Sequence, residues 1–101
     1  MPRALAKVGN QIVAQTDSWE TVEGNIYFPP SAITDQRLLE HSELSTFCSW
    51  KGYASYWNVT VDSKTLENAA WYYKEPYEKA KNIKDYIAFY KDKVKLWRSS
   101  S

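Results

Sequence analysis

Residues 53–61, Tyr-Ala-Ser-Tyr-Trp-Asn-Val-Thr-Val, constrain this chain more than any other segment. β-Branched and aromatic side chains fill the run, and such residues favour the pleated, half-buried surface of a sheet. At a period of two, Tyr53, Ser55, Trp57, Val59 and Val61 share one face; Ala54, Tyr56, Asn58 and Thr60 share the other. Asp62-Ser63-Lys64 is polar turn material, and residues 66–73 return as an antiparallel partner that ends at Lys74-Glu75-Pro76.

Shorter strands are expected before this hairpin. Two apolar runs, residues 4–8 and 11–14, flank Gly9-Asn10, and both turn residues tolerate positive φ. Asp17-Ser18 marks the next turn, after which Trp19-Glu20-Thr21-Val22 alternates in strand fashion. Gly24-Asn25 is a further turn candidate, followed by Ile26-Tyr27-Phe28 and then Pro29-Pro30, which cannot donate to a ladder. Residues 31–49 are irregular, with Arg37-Leu38-Leu39-Glu40 as a brief strand and residues 42–46 as a polar connector. Near the end, Asn82 reads as an N-cap with Asp85 three residues on. Ile83, Tyr86, Ile87, Tyr90, Val94 and Trp97 then form one helical stripe, with Lys84, Lys91, Asp92 and Lys95 facing away. The expected fold is mainly β: small bent antiparallel sheets, closed by one C-terminal amphipathic helix.

A chain of 101 residues is read as one domain over 1–101, with its core at about 4–97. Its 13 basic and 12 acidic side chains give a net charge of +1 and are interleaved, only residues 79–98 leaning basic, so nucleic acid is not an expected partner. One cysteine, Cys48, and one histidine, His41, allow neither an intramolecular disulfide nor a four-ligand zinc site. No apolar run approaches membrane-spanning length and no secretion signal opens the chain, so the expected setting is the cytoplasm, without a membrane partner. The oligomeric state is not legible.

The densest polar and aromatic cluster is Cys48-Ser49-Trp50-Lys51-Gly52. Lys51 beside Cys48 can lower a thiol pKa, and Gly52 can let a ligand approach the backbone. Equally, Cys48 can be a small buried hydrophobe and Lys51 a snorkelling charge. His41 lies seven residues from Cys48, with no third orienting group in sight. There is no Gly-rich phosphate loop and no dinucleotide fingerprint, and Glu23, Glu40, Glu43, Glu67 and Glu75 read as surface charges. Aromatic residues make up 16 % of the chain, with five Trp and eight Tyr. Trp50, Tyr56, Trp71 and Tyr73 flank the ends of the main hairpin and Tyr27 sits on another strand, an arrangement that serves either as a ligand cage or as core packing.

Several separated motifs occur in a distinctive order: Asn25-Ile26-Tyr27-Phe28-Pro29, Leu38-Leu39-Glu40, Cys48-Ser49-Trp50-Lys51-Gly52, Ala54-Ser55-Tyr56-Trp57 and Glu67-Asn68-Ala69-Ala70-Trp71-Tyr72-Tyr73. With the closing Ile83-Lys84-Asp85-Tyr86-Ile87-Ala88-Phe89-Tyr90, the chain resembles the domain of unknown function 427 family, also described as nucleotidyltransferase-like. The resemblance implies bent antiparallel sheets with a terminal helix, similar to the β-tent folds of cereblon-type ligand domains. Many β-tent proteins hold a structural zinc through paired cysteines; the single Cys48 leaves this chain without that pair, so no metal and no cofactor are expected. Ser49 stands where the family pattern usually has Pro after the cysteine. The Gly-Ser pair and clustered Asp of nucleotidyltransferases are absent, and Asp62 and Asp85 read as turn and cap residues.

The leading expectation is a binding module for a small planar or anionic molecule, in a pocket formed by Tyr27, Cys48, Trp50, Lys51, Tyr56, Trp71 and Tyr73. An enzyme of nucleotidyltransferase-like or cysteine-dependent type, using Lys51 or Cys48, is the alternative. A protein-interaction domain is the third.

Overall fold

The computed structural model describes residues 2–99. β1 (Arg3–Val8) and β2 (Gln11–Thr16) form the hairpin anticipated at Gly9-Asn10, with Ala4, Ala6, Val13 and Ala14 turned inward. β3 (Glu20–Val22) and β4 (Asn25–Tyr27) pair across a Glu23-Gly24 turn. Pro30 then opens a short 3-10 turn, Pro30–Ala32, where a missing N–H costs nothing. β5 (Leu39–Cys48), β6 (Gly52–Val61), β7 (Lys64–Tyr72) and β8 (Ile87–Phe89) follow in one antiparallel sheet of that order. β9 (Lys95–Ser99) returns to the first hairpin and makes a three-stranded sheet, β2-β1-β9. Phe28 and Ile87 exchange two backbone hydrogen bonds of 2.8 Å, which fasten β4 alongside β8.

The four-stranded sheet is covered on both faces. Val59, Val61, Ala70, Ile87 and Phe89 pack with the first hairpin into one core cluster. Ala54, Tyr56 and Ala88 belong to a second, closed from outside by Ala80 and Ile83 of a 3-10 stretch, Glu78–Ile83. Strict alternation holds along β6, but the face that is covered changes midway. The cause is a pair of bulges in its neighbours. Between Trp57 and Val59, β6 advances two residues while β7 advances four, from Ala70 to Leu66. Between Trp57 and Ser55 it advances two while β5 runs from His41 to Ser45. Extra residues on both flanks bend the sheet there. Asn68 occupies the β7 bulge at φ +52°, and its N–H donates to Asn58 Oδ1 at 2.9 Å. Ser42 Oγ hydrogen-bonds to Asn68 Oδ1 from the other side, so one polar contact spans all three strands at the bend.

Three expectations need correction. Arg37 and Leu38 do not open a brief strand: they lie in a 3-10 turn, Gln36–Leu38, which Asp35 caps by accepting the Arg37 N–H, and the strand begins at Leu39. Residues 42–46 are not a connector: they lie within the ten-residue β5. Four of their five side chains are polar, Leu44 being the exception, because β5 is the sheet's outer strand and most of it faces water.

The C-terminal amphipathic helix does not form either. Ile87, Ala88 and Phe89 are buried in succession at 4 %, 0 % and 1 % exposure, a pattern a one-sided surface helix cannot produce. Tyr90 and Trp97, both on the expected buried stripe, are 37 % and 52 % exposed. Asn82 donates its side-chain amide to Glu20 Oε1 at 2.8 Å instead of capping a helix. Asp85 sits at φ +64° with its N–H on the Tyr73 carbonyl. The apparent helical spacing survives only in one turn, where Val94 N–H reaches the Tyr90 carbonyl at 2.9 Å. The physical reason is twofold. β-Branched and aromatic residues are indifferent helix formers, and β7 and β1 each offer an open edge whose backbone groups need partners. β8 pairs with β7 through Ala70–Phe89, and β9 with β1 through Leu5–Trp97.

Candidate functional site

Lys51 is the one charged or polar residue classed as buried among those described, at 7 % exposure. Its position follows from a tight local turn between β5 and β6. Gly52 sits at φ +108°, a conformation that side-chain-bearing residues rarely adopt, and Tyr77 N–H bonds to the Lys51 carbonyl at 3.0 Å. The glycine thus serves the turn, and the segment packed beside it is the chain's own residues 75–77.

The Lys51 side chain runs inward to Glu23, in the β3–β4 turn, and forms an ion pair with it. Its ammonium stands 5.3 Å from the Trp50 ring centre and 5.5 Å from that of Tyr73. Burial alone would push the Lys51 pKa down, but the Glu23 hydrogen bond, with Tyr27, Tyr73 and the Glu23 charge, reverses the sign and holds it above its usual value. The same hydrogen bond and charge hold the Glu23 carboxyl below the usual range. Lys51 is therefore a fixed cation whose charge is already matched.

Beside it opens a recess of about 550 Å³, walled by Lys51, Tyr56, Trp71, Tyr73, Phe89 and Tyr90. Asn25, Lys91 and Asp92 complete its rim. Trp71 and Tyr90 ring centres are 4.6 Å apart, and Tyr56 and Tyr90 are stacked with planes 6° apart. Thr46 and Tyr56 hydroxyls meet at 2.8 Å, and the Tyr90 hydroxyl lies 3.4 Å from that of Tyr56. Burial first, then the Tyr56 hydroxyl, push Tyr90 up to about 12, so it stays a neutral phenol through the physiological range. Behind this wall Trp71 Nε1 donates to the Tyr27 hydroxyl at 3.1 Å, which fixes the indole plane. Chemically the recess offers ring faces for stacking, phenolic hydroxyls, and charges at two places.

Of the residues singled out from sequence, Lys51, Tyr56, Trp71 and Tyr73 come together at the recess. Tyr27 is fully buried and supports Trp71 from behind. Trp50 and Cys48 are half-buried and packed against the second core cluster, outside the lining. His41 stacks on Trp57 at 4.1 Å, towards the end of β5 opposite Cys48, so the two do not form a dyad. Glu23, Tyr90, Lys91 and Asp92 join the site without a motif in the sequence to mark them. Tyr90 carried a misleading signal, its place on the supposed helical stripe, and Glu23 carried none beyond a turn position. Another group of rings lies outside the recess: Phe47, Tyr53 and Tyr77 are 57 %, 65 % and 46 % exposed, with Phe47 5.0 Å from Tyr53. Among the described residues no group of three His, Cys, Asp or Glu is placed to hold a metal ion, and no helix is long and apolar enough to cross a membrane.

Fold and site together define a mainly β domain of small antiparallel sheets with a ring-lined recess against one sheet. A family model described as a domain of unknown function (DUF427) matches residues 3–100. The chain belongs to that family. No curated protein matches it significantly.

Proposed function

We propose that this domain is a binding module for a flat, ring-bearing small molecule that lies in the recess against Trp71 and Tyr90. The observation that carries this reading is the concentration of ring faces around one open concavity, backed by the Lys51–Glu23 pair. Pockets for small ligands typically combine apolar walls with a few placed polar groups. Here the Tyr56 and Tyr90 hydroxyls and the matched Lys51 charge would orient the ligand's polar edge. Because Glu23 already neutralises Lys51, that lysine favours a neutral, hydrogen-bonding edge over a free anion. The enzymatic alternative loses support: Cys48 lies outside the recess lining and Lys51 is committed to Glu23.

A thermal-shift screen of nucleobases, nucleosides, flavins and aromatic acids tests the proposal, run on the wild type, Tyr90→Ala and the remote control Phe47→Ser. Expected is at least one ring compound that raises the melting temperature of the wild type and of Phe47→Ser but not of Tyr90→Ala. An absence of hits, or hits indifferent to Tyr90, overturns it.

A further inference from the structure

A second recess, of about 390 Å³, adjoins the first along the free edge of β9. It is lined by Gly24 and Ile26 together with Lys91, Lys95, Trp97 and Arg98. Lys91 borders both recesses, and Asn25 of the first lies between Gly24 and Ile26 of the second, so the two are neighbours that share a rim. Their chemistry differs. No carboxylate lines the second recess, whereas three cations do. Lys91, Lys95 and Arg98 are exposed, and among the described residues none of them is ion-paired. The carboxylates closest in sequence are already placed: Glu23 on Lys51, and Asp92 on the rim of the first recess.

A second observation points the same way. Lys95 of β9 stands directly opposite Lys7 of β1 in the ladder. Like charges at opposed positions destabilise a sheet unless an anion lies near them. The whole chain is close to neutral, at +1, so this cluster is a local concentration of charge and not a general excess. Three cations lining one recess, an arginine among them, suit a phosphate or carboxylate, which Arg can grip with two parallel hydrogen bonds.

We propose that the two recesses form one bipartite site, whose ligand joins a flat ring to an anionic group held by Lys91, Lys95 and Arg98 at the β9 edge. This rests on the ring-binding reading above and adds to it the charge and position of the ligand's second half.

Matched pairs of compounds separate the two claims. Titration calorimetry at low salt would compare adenosine with adenosine 5′-monophosphate, pyridoxine with its 5′-phosphate, and indole with indole-3-acetate. The proteins are the wild type, Tyr90→Ala and the double variant Lys95→Ala/Arg98→Ala, with melting curves as the folding control. In the wild type the anionic member of at least one pair binds about ten- to hundredfold more tightly than its neutral partner, the usual effect of charge-assisted contacts. That advantage shrinks with added salt and disappears in the double variant, while Tyr90→Ala weakens both members. The pair that responds tells phosphate from carboxylate. Equal affinity within every pair, or an advantage that survives in the double variant, overturns the bipartite site and leaves ring binding standing. No binding by any member overturns both.

Discussion

Burying a lysine ammonium costs several kcal/mol unless a partner replaces its lost water, and Lys51 has one carboxylate and two rings for that purpose. Its stem is buried as well, so the side chain does structural work whether or not a ligand is bound. Lys51→Ala should therefore lower stability by about 2–3 kcal/mol, through the lost methylenes as well as the lost pair. Lys51→Met, which keeps most of the stem, should cost about 1 kcal/mol, because the half-exposed Glu23 can return to water. Urea unfolding compares them; a Lys51→Ala protein as stable as wild type would contradict this account. The pair also sets a pH dependence. Glu23 has a folded pKa below its ordinary 4.5, so its stabilising contribution is complete above that value and is lost as pH falls through the folded pKa. The stability gap between wild type and Glu23→Gln should stay level from neutral pH down to the ordinary carboxylate range and close below it. A gap that widens in acid would show that Glu23 is not stabilised as an anion.

At the scale of elements, the bend in the four-stranded sheet hangs on a few polar groups. Asn58 accepts the Asn68 N–H inside the β7 bulge, and Asn68 in turn meets Ser42 of β5. Asn58→Ala leaves that N–H without its partner, and a loss of about 1–3 kcal/mol is expected in denaturant titration. The strands that replace the expected helix make a sharper test, because the two architectures rank substitutions in opposite order. As a helix, residues 82–97 would bury Trp97 and leave Phe89 off the stripe. In the folded domain Phe89 is 1 % exposed on β8 and Trp97 is 52 % exposed on β9. Phe89→Ala should cost about 3–5 kcal/mol, as large-to-small core changes do, and Trp97→Ala less than about 1 kcal/mol. The reverse order in thermal unfolding would reinstate the helix.

Across the whole molecule, β1 and β9 run side by side, with Arg3 paired to Ser99. The two ends of the described fold therefore meet within one ladder spacing. A circular permutant that joins them through a short Gly-Ser linker and opens at the exposed Asp62-Ser63 turn should fold cooperatively, with its unfolding midpoint near that of the wild type. Both residues of that turn sit at positive φ, at +51° and +68°, so breaking the chain there also releases local strain. A permutant that fails to fold would show that β1 must follow its native chain order. The ring-lined recess exists only at this scale: Asn25 comes from β4, Lys51 from the β5–β6 turn, Tyr56 from β6, Trp71 from β7 and Tyr90 from the end of β8.

The hairpin of β6 and β7, the Gly9-Asn10 turn and the stop at Pro29-Pro30 were legible in the sequence because each depends on near neighbours: branched and aromatic side chains, positive-φ residues, a missing N–H. The family was legible too, because its motifs are short and ordered along the chain. Four recess residues, Lys51, Tyr56, Trp71 and Tyr73, could be read from their places around that hairpin. What only the tertiary structure decided was contact between distant segments. Residues 82–97 have helical spacing, yet open edges on β7 and β1 drew Ile87–Phe89 and the run from Lys95 into strands. Glu23 looked like any surface carboxylate until the β3–β4 turn carried it to Lys51. Tyr90 falls on the buried stripe by spacing alone, and only the path of the chain after β8 sets its ring at the recess. Local preference is worth tenths of a kcal/mol per residue, whereas an unpaired backbone group in a folded interior costs about 1–3 kcal/mol, so where the two disagreed the ladder prevailed.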